Sequence, residues 1–157
     1  MAGLTRREVI KAADASARLL VIDGTLTLTQ SAHAGRDLLL SATATLVTVT
    51  LPLALGAGTH YMFIVGVTNT STYVIQAGVA ADEMLGQLLA VDSDDDSNNG
   101  YPALDGDNFD TITIGDVTRG VQGSWFELTD IALNQWFVRG QVIQSGGSEA
   151  TPFTSAV

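Results

Sequence analysis

The chain of 157 residues contains no cysteine and only one lysine, Lys11. The first absence excludes a disulfide-stapled scaffold, a thiolate zinc site and a cysteine nucleophile. Charge is also scarce: 15% of the residues are Asp, Glu, Lys or Arg, against about 25% in typical soluble domains. Between Asp37 and Asp82 there is none of these four at all. That run is still no membrane span, because Thr, Gly and Pro interrupt it before the roughly 20 continuous apolar residues that a spanning helix needs. Thr5-Arg6-Arg7-Glu8-Val9 does not lead into an apolar signal-peptide core, so the expectation is a chain made and kept in the cytoplasm, or released by lysis.

The charges that are present are unbalanced, giving a formal net charge of −10. Arg6, Arg7, Lys11 and Arg18 supply four of the seven basic residues within the first eighteen positions, leaving Arg36, Arg119 and Arg139 against fifteen acids in the remainder. The chain reads as a basic arm (1–18) on a strongly acidic body (19–143), followed by an extended or flexible tail (144–157). Such a body repels phosphate, so nucleic acid is not an expected partner, and neither is a membrane.

Thr5-Arg6-Arg7-Glu8 fits a capping box, and Val9, Ile10, Ala13 and Ala17 follow at near-helical spacing. A short helix over about 6–17 is predicted, with an arm that stays extended as the alternative. From Arg18 the period becomes two. Thr25-Leu-Thr-Leu-Thr29 and Val47-Thr-Val-Thr-Leu51 each set an apolar face against a hydroxyl face. Asp23-Gly24 predicts a hairpin between strands 19–22 and 25–29. His60–Val67 and Thr72–Gln76 read as the next pair, Met84–Val91 as strand or short helix, and Phe109–Gly115 as a strand. Residues 92–108 read as a solvated acidic loop. Ser124–Thr129 and Gln135–Val142 read as a closing hairpin. No fixed-period repeat is present. The predicted fold is all-β: a jelly-roll-like sandwich or barrel of about eight to ten short antiparallel strands.

Little in the sequence points to catalysis. His33 lies in a turn-like stretch and His60 begins a strand, with no Gly-x-Ser-x-Gly elbow, His-Glu-x-x-His pair or phosphate-binding glycine loop. The expectation is a protein that is not an enzyme and carries no cofactor. Asp94, Asp96 and Asn98 have the alternate oxygen spacing of a calcium loop, with Asp105 at the twelfth position. The sixth position is Asn99 rather than Gly, however, and no flanking helices are predicted. The plainer reading is an acidic loop tip, and no metal site is assigned. Trp125, Phe126, Trp136 and Phe137 admit a glycan-binding face, but a hairpin lying between core and neighbour explains them more simply. Thr25, Thr27 and Thr29 invite an ice-binding reading, which needs a repeated array; the β-propensity of threonine accounts for them.

The stretch Gly123-Ser-Trp-Phe-Glu-Leu-Thr-Asp-Ile-Ala-Leu-Asn-Gln-Trp-Phe-Val-Arg-Gly140 resembles the closing hairpin of small virion proteins of tailed bacteriophages. So does the threonine-rich run ending in Tyr61-Met-Phe-Ile-Val65 and Tyr73-Val-Ile-Gln76. The short, cysteine-free, β-rich plan with an N-terminal arm is similar to capsid decoration, or cement, proteins. The resemblance spans about residues 18–143. It implies a homotrimer on the outer surface of the capsid in the virion, bridging copies of the major capsid protein. On that footing Arg6, Arg7, Lys11 and Arg18 are expected to bind the capsid. Thr48, Thr50, Trp125 and Phe137 are expected at the subunit interface, where sister chains would cover the neutral faces. The alternative is a fibre or tail-associated module that binds host glycan through the aromatic hairpin. A small hydrolase or a calcium-dependent adhesin is the third class.

Overall fold

The computed structural model describes residues 17–95, 97–146 and 148–157. Almost all of the predicted N-terminal helix, with Arg6, Arg7 and Lys11, lies outside the described residues. The strands are β1 (Leu19–Ile22), β2 (Leu26–Thr27), β3 (Asp37–Leu40), β4 (Val47–Thr50), β5 (His60–Val65) and β6 (Tyr73–Gln76). They continue with β7 (Glu83–Asp92), β8 (Asn98–Ala103), β9 (Thr111–Ile114), β10 (Trp125–Ala132), β11 (Gln135–Gln144) and β12 (Phe153–Thr154). One helical turn, α1 (Gln30–His33), joins β2 to β3. The fold is the expected all-β sandwich, formed by a seven-stranded sheet in the order β1-β3-β5-β10-β11-β7-β8 and a five-stranded sheet in the order β12-β9-β6-β4-β2. Both sheets stay open, so the barrel form of the expectation does not apply.

Strand direction departs from the all-antiparallel expectation. The first six strands alternate between the sheets, and each lies parallel to its predecessor in the same sheet. Leu19, Asp37 and Met62 line up in one sheet, and Leu26, Val49 and Ile75 in the other. The chain thus winds through three stacked coils of unequal length, which is why no fixed period is visible in the sequence. Asp23-Gly24 is a corner between the sheets rather than a hairpin turn. A type I′ turn needs positive φ at both central residues, and neither Asp23 nor Gly24 adopts it. Residues 66–72 form a second such corner, so β5 and β6 lie in different sheets rather than pairing.

The corners stack through their own polar groups. Asn69, fully buried, donates from its side-chain amide to the Thr45 and Thr72 carbonyls. The Tyr73 hydroxyl donates to the carbonyls of Ala42 and Val67. Buried backbone acceptors that the ladders leave over are thereby satisfied.

β7 runs in the direction of a fourth coil, but the β10–β11 hairpin is inserted between it and β5. The region expected to be a solvated loop contains β8, antiparallel to β7. Its polar Asn98-Asn99-Gly100 start resembles loop sequence because this edge strand has little to bury. In the tail, β12 pairs with β9, and Phe153 stacks on Phe109 with ring centroids 5.7 Å apart.

The core lies between the two sheets. Leu38, Tyr61, Phe63, Phe126, Trp136 and Val138 from the larger sheet meet Val47, Val49, Tyr73, Ile75, Ile112 and Ile114 from the smaller. Phe63 and Phe126 stack at 5.0 Å. Gly140 lets β11 close on β10, since a Cβ there would lie 2.5 Å from both Phe126 Cβ and the Trp125 carbonyl oxygen. Gly140→Ala should therefore cost about 3 kcal/mol or more in urea unfolding, the upper range of overpacking. Gly24→Ala, where nothing lies within 4 Å, should cost about 0.5 kcal/mol or less.

Candidate contact surfaces

The parallel coils give the sandwich two different ends. β1, β3, β5, β7 and β11 all begin at the same end. The 51–59 loop and the β10–β11 turn meet there, joined by a bridge between Leu55 and Leu133. Leu53, Leu55, Val79, Ile131 and Leu133, the last 68% exposed, protrude from this end. We refer to them as the tip.

The tip is fixed from beneath by two buried acids. Asp130, 2% exposed, accepts the backbone N–H groups of Leu55, Gly56 and Ala57. Its own backbone completes the clamp, with Gly58 N–H donating to its carbonyl and its N–H donating to Thr59. Asp82, 1% exposed, accepts the Ala54 N–H at 3.0 Å. Burial raises the Asp82 pKa, and the nearby Asp130 charge adds to this; the Ala54 N–H and the Trp136 indole pull the other way. Tyr61 packs against Trp136, and its pKa is pushed up to about 12 by burial and by Asp130.

The opposite end carries the β7–β8 turn. Asp94 accepts the Gly146 N–H at 2.6 Å, and the Asp92 carboxylate accepts the Asp94 N–H. Ser97 holds the Asp95 carboxyl below its ordinary value through its hydroxyl and its N–H. β8 then carries the chain back along the whole sheet, so Asp105 sits near the tip end, away from Asp94. The calcium spacing read from the sequence is therefore not gathered into one loop. Among the described residues no three His, Cys, Asp or Glu side chains form a metal-binding group.

The outer faces of the two sheets differ in chemistry. On the smaller sheet Thr27, Thr50, Gln76, Thr111 and Thr154 lie in one cross-strand row, and Thr48 is beside Val74. On the larger sheet the row Val21, Leu39, Ile64, Trp125, Gln141 and Leu89 is almost entirely apolar. Beside it Glu127 is bonded to both His60, at 2.9 Å, and Arg139.

Of the residues singled out in the sequence, Thr48 and Thr50 lie on one outer face and Trp125 and Phe137 on the other. One flat contact cannot contain all four. Phe126 and Trp136 are fully buried, so only half of the aromatic hairpin is available to a partner. Arg18 lies at the tip end, 80% exposed, and pairs with Asp37 at 2.8 Å. His33 closes α1 and accepts the Thr29 N–H on Nδ1 at 2.9 Å. The sequence reading missed the tip. Its one signal was Leu53 and Leu55 among Gly and Ala, a loop composition with apolar residues and nothing to hide them.

Two outcomes follow from the buried acids. Asp130→Ala leaves three backbone donors without their acceptor and should destabilise the fold by about 3 kcal/mol, with faster amide exchange over Leu55–Ala57. Asp82 has a folded-state pKa above its ordinary 3.8, so its contribution favours folding at acid pH and is lost as pH rises through the folded pKa. Asp82→Asn keeps an acceptor for Ala54. Thermal melts should show the variant gaining on the wild type from acid toward neutral pH.

No helix among the described residues is long and apolar enough to cross a membrane. No family model, curated protein or solved structure matches the chain.

Proposed function

We propose that this chain is a non-enzymatic structural protein of a tailed-phage virion, seated on the outer surface of the capsid as a homotrimer that bridges major capsid proteins. The observation that carries the reading is the polarity of the sandwich. The pinned apolar tip and the point where the basic arm joins β1 are at one end, and the Asp94–Asp95 turn is at the other. A rigid apolar tip loses little entropy on docking. Arg6, Arg7 and Lys11 would reach the shell beside it, while the Asp94–Asp95 turn at the other end faces solvent.

A second reading rests on a shallow cavity of about 190 Å³ on the larger sheet's outer face, lined by Gln87, Leu89, Trp125, Arg139, Gly140 and Gln141. An indole face beside two amides suits a sugar ring. This glycan reading requires the face to remain open.

The test is co-sedimentation with heads of the encoding phage prepared without this protein. Wild type should saturate the heads. Leu55→Asp/Leu133→Asp, or removal of residues 1–18, should weaken binding at least tenfold. Wild type that ignores heads but is retained on host envelopes would replace this reading with the glycan one.

A further inference from the structure

We infer that the outer face of the seven-stranded sheet is the self-assembly surface of this protein, covered by sister copies around a three-fold axis. The inference rests on the trimer in the reading above and adds which face the copies share.

Charge is the first argument. With a net charge of −10, two copies repel wherever exposed acids meet. Asp23, Asp94, Asp95, Asp105 and Asp107 are all exposed, and they lie in the turns and loops rather than on this face. On the face itself Asp37 and Glu127 are paired within one copy, and Glu83, at the tip end of β7, accepts the Gly106 and Asn108 N–H groups. Asp37 is bonded to Arg18, and Glu127 to Arg139 and His60. A like-charged copy can approach here without bringing unpaired acids together.

Apolar content is the second. Val21 is 55% exposed, Leu89 45%, Val91 46% and Leu19 50%, and Leu39, Ile64 and Trp125 lie between the two edges of the row. Patches of this extent on a soluble protein mark contact sites.

Size is the third. Six interstrand spacings of about 4.8 Å make the face about 29 Å wide, and its strands run from about 13 Å for four-residue β1 and β3 to about 33 Å for ten-residue β7 and β11. A face of about 600 Å² in plan approaches the roughly 800 Å² per partner of a standard interface. Three walls of that width around an axis would each stand about 8 Å from it, more than the roughly 5 Å that each sheet of a packed pair fills, so the long outward side chains Trp125 and Arg139 on the central strands would have to fill the middle. Cyclic closure then lets the β1 side of one face meet the β7 side of the next.

Light scattering on a sizing column is the first test. Wild type should run at three times the 16.4 kDa chain mass. Val21→Lys/Leu89→Lys should fall to one chain mass with its far-UV spectrum unchanged, while Thr48→Lys/Thr50→Lys on the opposite face should remain trimeric. A trimer that survives the first pair, or is broken only by the second, overturns the face while leaving the trimer standing. A wild-type monomer at micromolar concentration overturns both. The absence of native cysteine permits a readout that does not depend on the lysine variants folding. Gln141→Cys should be protected from maleimide in the assembled protein and Thr27→Cys should not. Equal labelling overturns the inference.

Discussion

The structure depends on the insertion of the β10–β11 hairpin between β5 and β7. Without it the seven-stranded sheet would be two fragments, because β7 pairs with β11 and β8 and has no ladder with β5. The same two strands carry Phe126 and Trp136 into the core, Glu127 and Arg139 onto the outer face, and Asp130 under the tip. Gly140 is what allows the two strands to approach closely enough for all three roles. Core, face and tip are therefore built on one pair of strands and are mechanically coupled.

Much of this was legible in the sequence. Alternation placed β4, β5, β6, β9, β10 and β11 close to their observed positions, because half-buried strands write their burial into every second residue. Direction and pairing were legible for the β10–β11 hairpin and not for the coiled strands. Alternation is identical in parallel and antiparallel sheets, so Leu19–Ile22 and Leu26–Thr27 looked like a hairpin although they enter different sheets. β8 was invisible because an edge strand with Asn, Gly and Pro102 has almost no buried side to report. Asp82 and Asp130 were unremarkable as letters. Only the fold places both carboxylates beneath an exposed loop, where desolvation is offset by backbone donors.

The charge-free stretch between Asp37 and Asp82 gains a specific meaning from the coils. It lays down β3, β4, β5 and β6, two strands for each sheet, so the smaller sheet is neutral through its middle, while the larger carries the paired Glu127 and Arg139 at its centre. The exposed acids Asp23, Asp94, Asp95, Asp105 and Asp107 lie in turns and loops at the ends. The faces then diverge through the residues opposite the core: threonine on the smaller sheet, leucine, isoleucine and tryptophan on the larger. One sequence property thus produces two surfaces of different character.

The parallel alignment of β5, β7 and β11 with the line joining the two ends also has a mechanical consequence. Interstrand hydrogen bonds run across the strands, so a pull between the tip and the β7–β8 turn loads them in shear. β7 and β11 are in register over ten residues, from Glu83 beside Gln135 to Asp92 beside Gln144. Their bonds must yield together rather than one after another. The sandwich is stiffest along the direction in which its two ends face, and softest to a peeling force on β8 or β12 at its edges.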